Sequence, residues 1–211
     1  DIVIASGVGS MSRVPMGRPA ALPAKNGFGN YTSPRLEERY PHIQFSQFMG
    51  AEMIAKKYDQ TKDQLDEFAY HSHKKAIAAT ESGAFKDEIV PIEVTLPTGE
   101  KAMHTVDEGI RFEASLEGIK GVKLLQEGGR VTAATSSQIC DGASGVMVVN
   151  ERGLKALGVK PLARIVHMTV IGHDPVIMLE APIPATIRAL KKADMKIDDI
   201  DLYEVNEAFA P

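Results

Sequence analysis

Cysteine is almost absent: Cys140 is the single thiol in 211 residues. One thiol excludes an internal disulfide framework and fits a reducing compartment. Apolar residues nowhere run unbroken for the ~20 positions a membrane helix needs, so no membrane span is expected. Surplus positive charge is also lacking. The 28 acids outnumber the 24 bases, for a net charge of -4, which leaves no overall positive field to hold nucleic acid or anionic lipid. The first residue is Asp1 rather than Met, and no targeting segment is visible. No internal repeat, low-complexity stretch, P-loop, Gly-x-Ser-x-Gly elbow or paired metal-ligand motif occurs. His71 and His73, two apart on a helical pattern, point away from each other. His42, His104, His167 and His173 lack ligand spacing, so no metal site is expected.

What remains is the composition of a globular protein, 44% hydrophobic and 25% charged, long enough for one large domain or two small ones. Ile2 to Ala5 reads as a buried strand ending at Ser6-Gly7. Arg13 to Pro34 carries Pro15, Pro19, Pro23 and Pro34 with Gly17, Gly27 and Gly29, which predicts a long surface excursion without helix or sheet. Between Ile2 and Leu36 its cations Arg13, Arg18, Lys25 and Arg35 meet no acid, suiting either a solvated loop or an anionic ligand or acidic subunit surface. Helical periodicity begins near Phe45. A second helix starts at Lys62, with Leu65, Phe68, Ala69, Ser72, Ala76 and Ala79 on one stripe, a Thr61/Gln64 capping box and Gly83 as terminator. Glu88 to Val94 reads as an edge or irregular strand because of Pro91, and Pro97 to Gly99 as a turn. Little regular structure is expected from Lys101 to Gly129. Gly145 to Val149 is an apolar run, followed by a helix from Asn150 to Leu157 stopped by Gly158. Leu162 to Ile171 and Ile200 to Asn206 read as strands, with a helix at Pro184 to Ala193 between them. The flanks are therefore α/β around an irregular middle.

Three places could carry chemistry. Gly7-x-Gly9 after a strand partly matches a dinucleotide fingerprint, but Ser12 holds the third glycine position and prolines follow in place of a helix. Cys140 sits between Ile139 and Asp141, whose negative charge would raise a thiol pKa, so a buried structural cysteine fits better than a nucleophile. Asn206-Glu207 directly follows the apolar run Leu202 to Val205. Ligands bind at the carboxyl ends of strands in open α/β sheets, and an amide there can orient water or donate to an oxyanion. The same pair also suits a turn or a helix cap.

Val205-Asn206-Glu207-Ala208-Phe209-Ala210 resembles the Asn-Glu-Ala-Phe signature of the thiolases, the acetyl-CoA acyltransferases and acetyltransferases. Further stretches resemble that family in the family's order: Gly7-Val8-Gly9-Ser10-Met11-Ser12, Phe48-Met49-Gly50-Ala51-Glu52, Gly83-Ala84-Phe85-Lys86-Asp87-Glu88-Ile89-Val90-Pro91, Asp107-Glu108-Gly109-Ile110-Arg111, Ser137-Gln138-Ile139-Cys140-Asp141-Gly142-Ala143 and Ala181-Pro182-Ile183-Pro184-Ala185. The resemblance spans the whole chain. It implies an α/β thiolase fold of two βαβαβαββ halves with a loop domain inserted in the first. Residues 1–12 would then end the N-terminal half, 13–136 form the inserted loop domain for CoA binding and oligomerisation, 137–158 return to the N-terminal half, and 159–211 begin the C-terminal half.

The resemblance also implies acyl transfer between acyl-CoA and CoA or acetyl-CoA through a cysteine thioester. Coenzyme A thioesters would be substrates, with no bound cofactor, in a homodimer or homotetramer of a bacterial cytoplasm or an organelle matrix. Asn206 would be catalytic, holding a water that with a histidine forms an oxyanion hole. Met49 and Phe209 would line the acyl and pantetheine tunnel, unless they are core packing. Arg111 would stack on adenine, and Ser137, with Ser136 as the adjacent register, would bond pantetheine. The family's nucleophilic cysteine falls upstream of Asp1, and its Gly-His-Pro and Cys-x-Gly-Gly motifs lie beyond Pro211. The resemblance thus implies an internal piece of a thiolase, inactive by itself and poorly stable because its sheets have unpaired edges. Gly172-His173-Asp174-Pro175 precedes Asn206 and does not match the family histidine. Phe48 stands where many acetoacetyl-type thiolases have histidine, which implies a bulkier or more apolar acyl group, as in β-oxidation or sterol side-chain breakdown. Two other classes remain: a non-catalytic thiolase-like CoA-binding or partner subunit and, more distantly, a dinucleotide-dependent oxidoreductase.

Overall fold

Thr61 and Gln64 bond reciprocally, as their spacing requires: Thr61 Oγ1 accepts the Gln64 N–H (3.3 Å) and Gln64 Oε1 accepts the Thr61 N–H (2.8 Å). They open the longest helix of the computed structural model, which describes residues 1–211. The elements run β1 (Ile2–Gly9), α1 (Arg18–Lys25), α2 (Pro34–Arg39), α3 (Gln47–Lys57), α4 (Lys62–Glu81), β2 (Ile92–Thr95), β3 (Lys101–His104), α5 (Leu116–Lys120), β4 (Gly142–Val149), α6 (Glu151–Leu157) and α7 (Pro182–Ala193), with 3-10 turns at Ala133–Thr135 and Ile197–Asp199. The chain divides into two compact units, Asp1–Ser46 with Ile139–Glu204, and Gln47–Gln138 with Val205–Pro211.

The second unit holds nearly all of the buried apolar side chains: Ala51, Ile54 and Ala55 of α3, Leu65 and Ala69 of α4, Ile119 of α5, and Val131. The small alanines lie on the buried side of α3, where they leave room for close neighbours. Glu52 is also buried there. Burying a carboxylate is costly unless donors surround it. Here Glu52 Oε1 accepts the N–H groups of Arg130 and Val131 (both 2.8 Å), and Oε2 also accepts from Arg130 (2.9 Å). The Arg130 guanidinium binds the end of the same helix, donating to Ala55 O (2.9 Å) and Gln60 O (2.5 Å). Lysine reinforces the next helix in a similar way: Lys62 Nζ lies 2.6 Å from the fully buried carboxylate of Asp66, one turn further along α4. Downstream of Glu52's partners, Thr132 and Thr135 cap each other around the 3-10 turn, with Thr132 N–H to Thr135 Oγ1 at 2.8 Å and Thr135 N–H to Thr132 Oγ1 at 3.2 Å.

The first unit is built on an antiparallel ribbon, β1 with β4, in register from Ile2 opposite Val149 to Gly9 opposite Gly142. Its two ends are tied by carboxylates. Asp1 accepts from Asn150 Nδ2 (2.6 Å) and Arg152 Nε (2.6 Å), and Asp141 accepts from the Ser12 N–H (2.8 Å) and hydroxyl (2.6 Å). The Ser12 bonds hold the Asp141 carboxyl below the usual carboxylate range. Asn150 caps α6 through Gly153 N–H (2.9 Å), and Gly158 closes it at φ 65°, the left-handed conformation that glycine adopts without strain.

Several expectations require correction. β1 forms, but Val3, Ile4 and Val8 are exposed, because its ribbon has only two strands and nothing covers its faces. Cys140 is exposed rather than buried, since it precedes β4 in an irregular stretch outside the paired ribbon. The Arg13 to Pro34 excursion contains helix α1 despite its prolines: Pro19 occupies the first turn, where no N–H is needed, and Pro23 removes only one bond from a helix of eight residues. The 101–129 stretch contains β3, paired with β2 from Ile92 opposite His104 to Thr95 opposite Lys101, and also α5, capped by the Ser115 hydroxyl. The paired strand lies at 92–95, past Pro91. Residues 162–171 and 200–206 are not strands, because no other segment of the chain supplies a hydrogen-bonding neighbour. Leu162, Val170 and Leu202 are correspondingly exposed.

Replacing Glu52 by Leu leaves the part-buried Arg130 and the buried Val131 N–H groups without acceptors. At about 1 to 3 kcal/mol for each orphaned donor, the expected loss is about 3 kcal/mol, read as a lower urea midpoint at unchanged slope. Glu52→Gln, which retains one acceptor oxygen, should fall between.

Candidate functional site

All the site residues anticipated from the sequence lie in the unit formed by 47–138 and 205–211. The mutual Thr132–Thr135 caps hold the chain so that residues 135–137 run beside the segment containing Asn206. Ser137 N–H donates to Ala208 O (2.8 Å), Ala210 N–H donates to Thr135 O (2.9 Å), and Ser136 bridges to Phe209. This short ladder sets Ser137 opposite Ala208 and Ser136 opposite Phe209, with Asn206 two residues upstream of Ala208. Phe209 in turn meets the ring of Phe48 edge to face, with centroids 5.2 Å apart, the arrangement favoured by aromatic quadrupoles. Met49 follows Phe48 on α3 with its side chain 46% exposed. Beside Phe48 a cavity of about 300 Å³ is lined by Phe48, Glu52, Leu125, Gln126 and Val131. Because the Glu52 oxygens face the N–H groups of Arg130 and Val131, the cavity's one carboxylate is already engaged.

The adjoining serines differ in availability. Ser136 Oγ donates to Thr132 O (2.8 Å), whereas the Ser137 hydroxyl has no partner and is exposed. The Asn206 amide is likewise exposed and unengaged by any protein group; only its backbone oxygen is used, by Ala208 N–H (2.9 Å). A free amide on a main chain pinned two residues away can bind water or an oxyanion.

Arg111 lies at the far edge of this arrangement. Its backbone N–H donates to His73 Nδ1 (3.4 Å), and its guanidinium donates to Gln138 Oε1 (3.4 Å). Gln138 also donates to Gly109 O, tying the Asp107 to Arg111 loop to the residue beside Ser137. The planar face of Arg111 remains exposed. Burial, then the Arg111 charge, lowers the His73 pKa below the ordinary imidazole value, and Glu207 opposes them. No cluster of His, Cys, Asp and Glu is arranged to hold a metal. His173, in the other unit, lies 3.4 Å from Glu180.

Sequence reasoning missed Glu52, Ser72, His73 and Gln138. Glu52 had a readable signal, a carboxylate between Ala51 and Ala55 on the apolar side of a helix. The other three gain their partners only through tertiary contact, across 135 residues for Ser72 and Glu207.

The α/β arrangement of the chain has counterparts among known proteins. Residues 1–152 match the family described as thiolase, N-terminal domain, and residues 159–211 match thiolase, C-terminal domain. The chain belongs to the thiolase family. It is similar to the steroid 3-ketoacyl-CoA thiolase of Mycobacterium tuberculosis, 44% identical over 216 residues that cover 100% of this chain and 51% of that protein. A 3-ketoacyl-CoA thiolase of Marinobacter nauticus is 41% identical over 214 residues, covering 100% of this chain and 52% of that protein. Among solved structures, human mitochondrial 3-ketoacyl-CoA thiolase superposes with a TM-score of 0.83 at 37% identity, over 99% of this chain and 54% of that one. An acetyl-CoA acetyltransferase from Syntrophomonas wolfei gives 0.80 at 32% identity, over 100% and 53%. The chain spans about half the length of the curated relatives it matches.

The lowered His73 pKa sets a pH dependence of stability. Below about pH 6.5 the unfolded chain takes up a proton that folded His73 resists. Stability should therefore be level above that pH, decline below it, and reach its full loss once the pH is under the folded value. His73→Gln should flatten this part of the profile, measured as urea midpoints between about pH 7.5 and 5.

Proposed function

We propose that this chain is part of an acetyl-CoA C-acyltransferase, which transfers an acyl group between acyl-CoA and CoA or acetyl-CoA through a cysteine thioester. The observation that carries the reading is the unengaged Asn206 amide, two residues upstream of Ala208, whose carbonyl accepts the Ser137 N–H. Thiolytic cleavage of a 3-ketoacyl-CoA and the reverse Claisen condensation both place negative charge on a thioester oxygen. Donors set in advance around that oxygen lower the barrier. In this reading Asn206 orients a water that shares the oxyanion with a histidine outside residues 1–211, and the nucleophile is a cysteine other than Cys140. Splitting the transfer into two steps through the thioester predicts ping-pong kinetics.

The remaining roles follow the same path through the site. Met49 and Phe209 line the tunnel for the acyl and pantetheine chain. The free Ser137 hydroxyl bonds pantetheine; Ser136 is already committed to Thr132 O. Arg111 offers an exposed planar guanidinium to adenine, a geometry that arginine supplies and lysine does not. Phe48, beside the cavity and against Phe209, supports a bulky or apolar acyl group, in keeping with the names of the 3-ketoacyl-CoA and steroid thiolase relatives. The domain reading assigns 1–12 and 137–158 to the N-terminal half, 13–136 to the inserted loop domain, and 159–211 to the C-terminal half. The complete protein would work as a homodimer or homotetramer in a bacterial cytoplasm or an organelle matrix. No helix is long and apolar enough to cross a membrane.

In the complete protein Asn206→Ala should lower kcat about 100- to 1000-fold, the usual cost of losing one oxyanion donor, with little change in KM. Retained CoA binding with no thiolysis by the unaltered protein would favour a non-catalytic CoA-binding subunit. A second prediction concerns Phe48. The unaltered enzyme should cleave a long-chain or sterol ketoacyl-CoA faster than acetoacetyl-CoA, and Phe48→His should narrow that preference; equal rates on both substrates would refute the assignment.

A further inference from the structure

Two adjacent parts of the Asn206 segment, 205–207 and 208–210, differ in how they are held. Backbone bonds to residues 135 and 137 secure Ala208 and Ala210. Upstream of Ala208, the only backbone bond in residues 205–207 is the one from Ala208 N–H to Asn206 O. That bond is local, so no backbone group outside the segment holds the peptide joining Asn206 to Glu207. A side chain supplies the missing restraint. Ser72 Oγ, from the middle of α4, donates to Glu207 Oε2 at 2.5 Å, a short charge-assisted bond. The anchor is on rigid ground: α4 is capped at Thr61 and packs on α5 and on the 3-10 turn that leads into the ladder. The next residue of the helix, His73, accepts the Arg111 N–H and faces both the Arg111 and Glu207 charges.

We propose that Glu207 is a positioning residue, anchored by the Ser72 hydroxyl of α4, that aims the Asn206 amide at the reacting thioester oxygen. The proposal rests on the acyl-transfer reading for what Asn206 does, and on the Ser72–Glu207 bond for how Asn206 is aimed. Glu207 acts through Asn206. It fixes the rotation of the 206–207 peptide from one side while the ladder holds 208–210 from the other. Ser72 interrupts the apolar stripe of α4 at the point where that bond is made.

The test uses the complete protein, assayed for thiolysis of a 3-ketoacyl-CoA as Ser72→Ala, Glu207→Gln, the double variant and the conservative Ser72→Thr. Ser72→Ala should lose about 10- to 100-fold in kcat, since displacement of about 1 Å near the chemistry costs up to about 100-fold, and Glu207→Gln, which keeps an acceptor oxygen but not the charge, should lose less. KM should stay within about 2-fold, the mark of an interaction used in the transition state. The double variant should be no worse than Ser72→Ala alone, because Glu207→Gln weakens the same bond that Ser72→Ala removes. Ser72→Thr, which keeps a donor hydroxyl, should recover most of the rate. Unchanged kcat, losses that multiply, or an effect confined to KM would overturn the proposal. Crystal structures of the variants give a readout independent of activity: an Asn206 side chain displaced with the Ser137–Ala208 bond intact supports the anchor, and an unmoved Asn206 overturns it. If Asn206→Ala keeps full kcat, the acyl-transfer reading fails, and the position of Asn206 in the Ser72→Ala and Glu207→Gln crystals still decides the anchor. Should Ser72→Ala not fold, the isosteric Glu207→Gln carries the same comparisons.

Discussion

The candidate site depends on a buried carboxylate that has traded water for backbone donors. Glu52 sits among alanines on the inner side of α3, where an unpaired charge would cost several kcal/mol. The N–H groups of Arg130 and Val131 offset that cost and thereby fix where the chain enters the Thr132–Thr135 turn. From that turn the ladder to Ala208 and Ala210 follows directly, and with it the placement of Asn206 and Phe209. Arg130 does not neutralise Glu52 head on. Its guanidinium takes the oxygens at the end of α3, so helix and loop are joined by hydrogen bonds of fixed direction and not by a simple ion pair. Directional bonds specify a single geometry.

The unit containing β1 and β4 is organised differently. A two-stranded ribbon is marginal by itself, and here its ends are tied by Asp1 and Asp141 while its faces remain open. Its apolar side chains, like those of 162–171 and 200–205, have the composition of sheet strands without a covering layer. Periodicity records which surface a strand is suited to bury. Whether that surface is buried depends on which elements lie against it.

Local chemistry was the most legible part of this protein. The Thr61/Gln64 box, the Asn150 cap, and the stops at Gly83 and Gly158 depend on residues within a few positions of one another, and each forms as its spacing implies. Proline content was misleading at α1 because position within the helix, and not the number of prolines, decides the cost. β3 escaped notice because a four-residue strand is defined by its partner. Around the site, the motif residues Met49, Arg111, Ser137, Asn206 and Phe209 could be named from the order of short stretches along the chain. Of the residues that hold them, Ser72 and Gln138 could not, since they acquire meaning only from groups 135 and 29 positions away, and Glu52 showed only as a carboxylate among alanines.

The lone thiol shows the same division. Composition alone determined that no internal disulfide could form and that Cys140 was the chain's single thiol. Sequence order also determined the family, through stretches whose spacing survives without any knowledge of the fold. Tertiary structure alone decided that Cys140 is exposed, that a carboxylate on an alanine face is the hinge of the site, and that Asn206 is left with a free amide. The physical reason is range. Caps, turns and helix stripes are settled by neighbours within a turn or two, whereas burial, strand pairing and the aim of a side chain are settled by whichever distant segment arrives to supply a surface or a hydrogen bond.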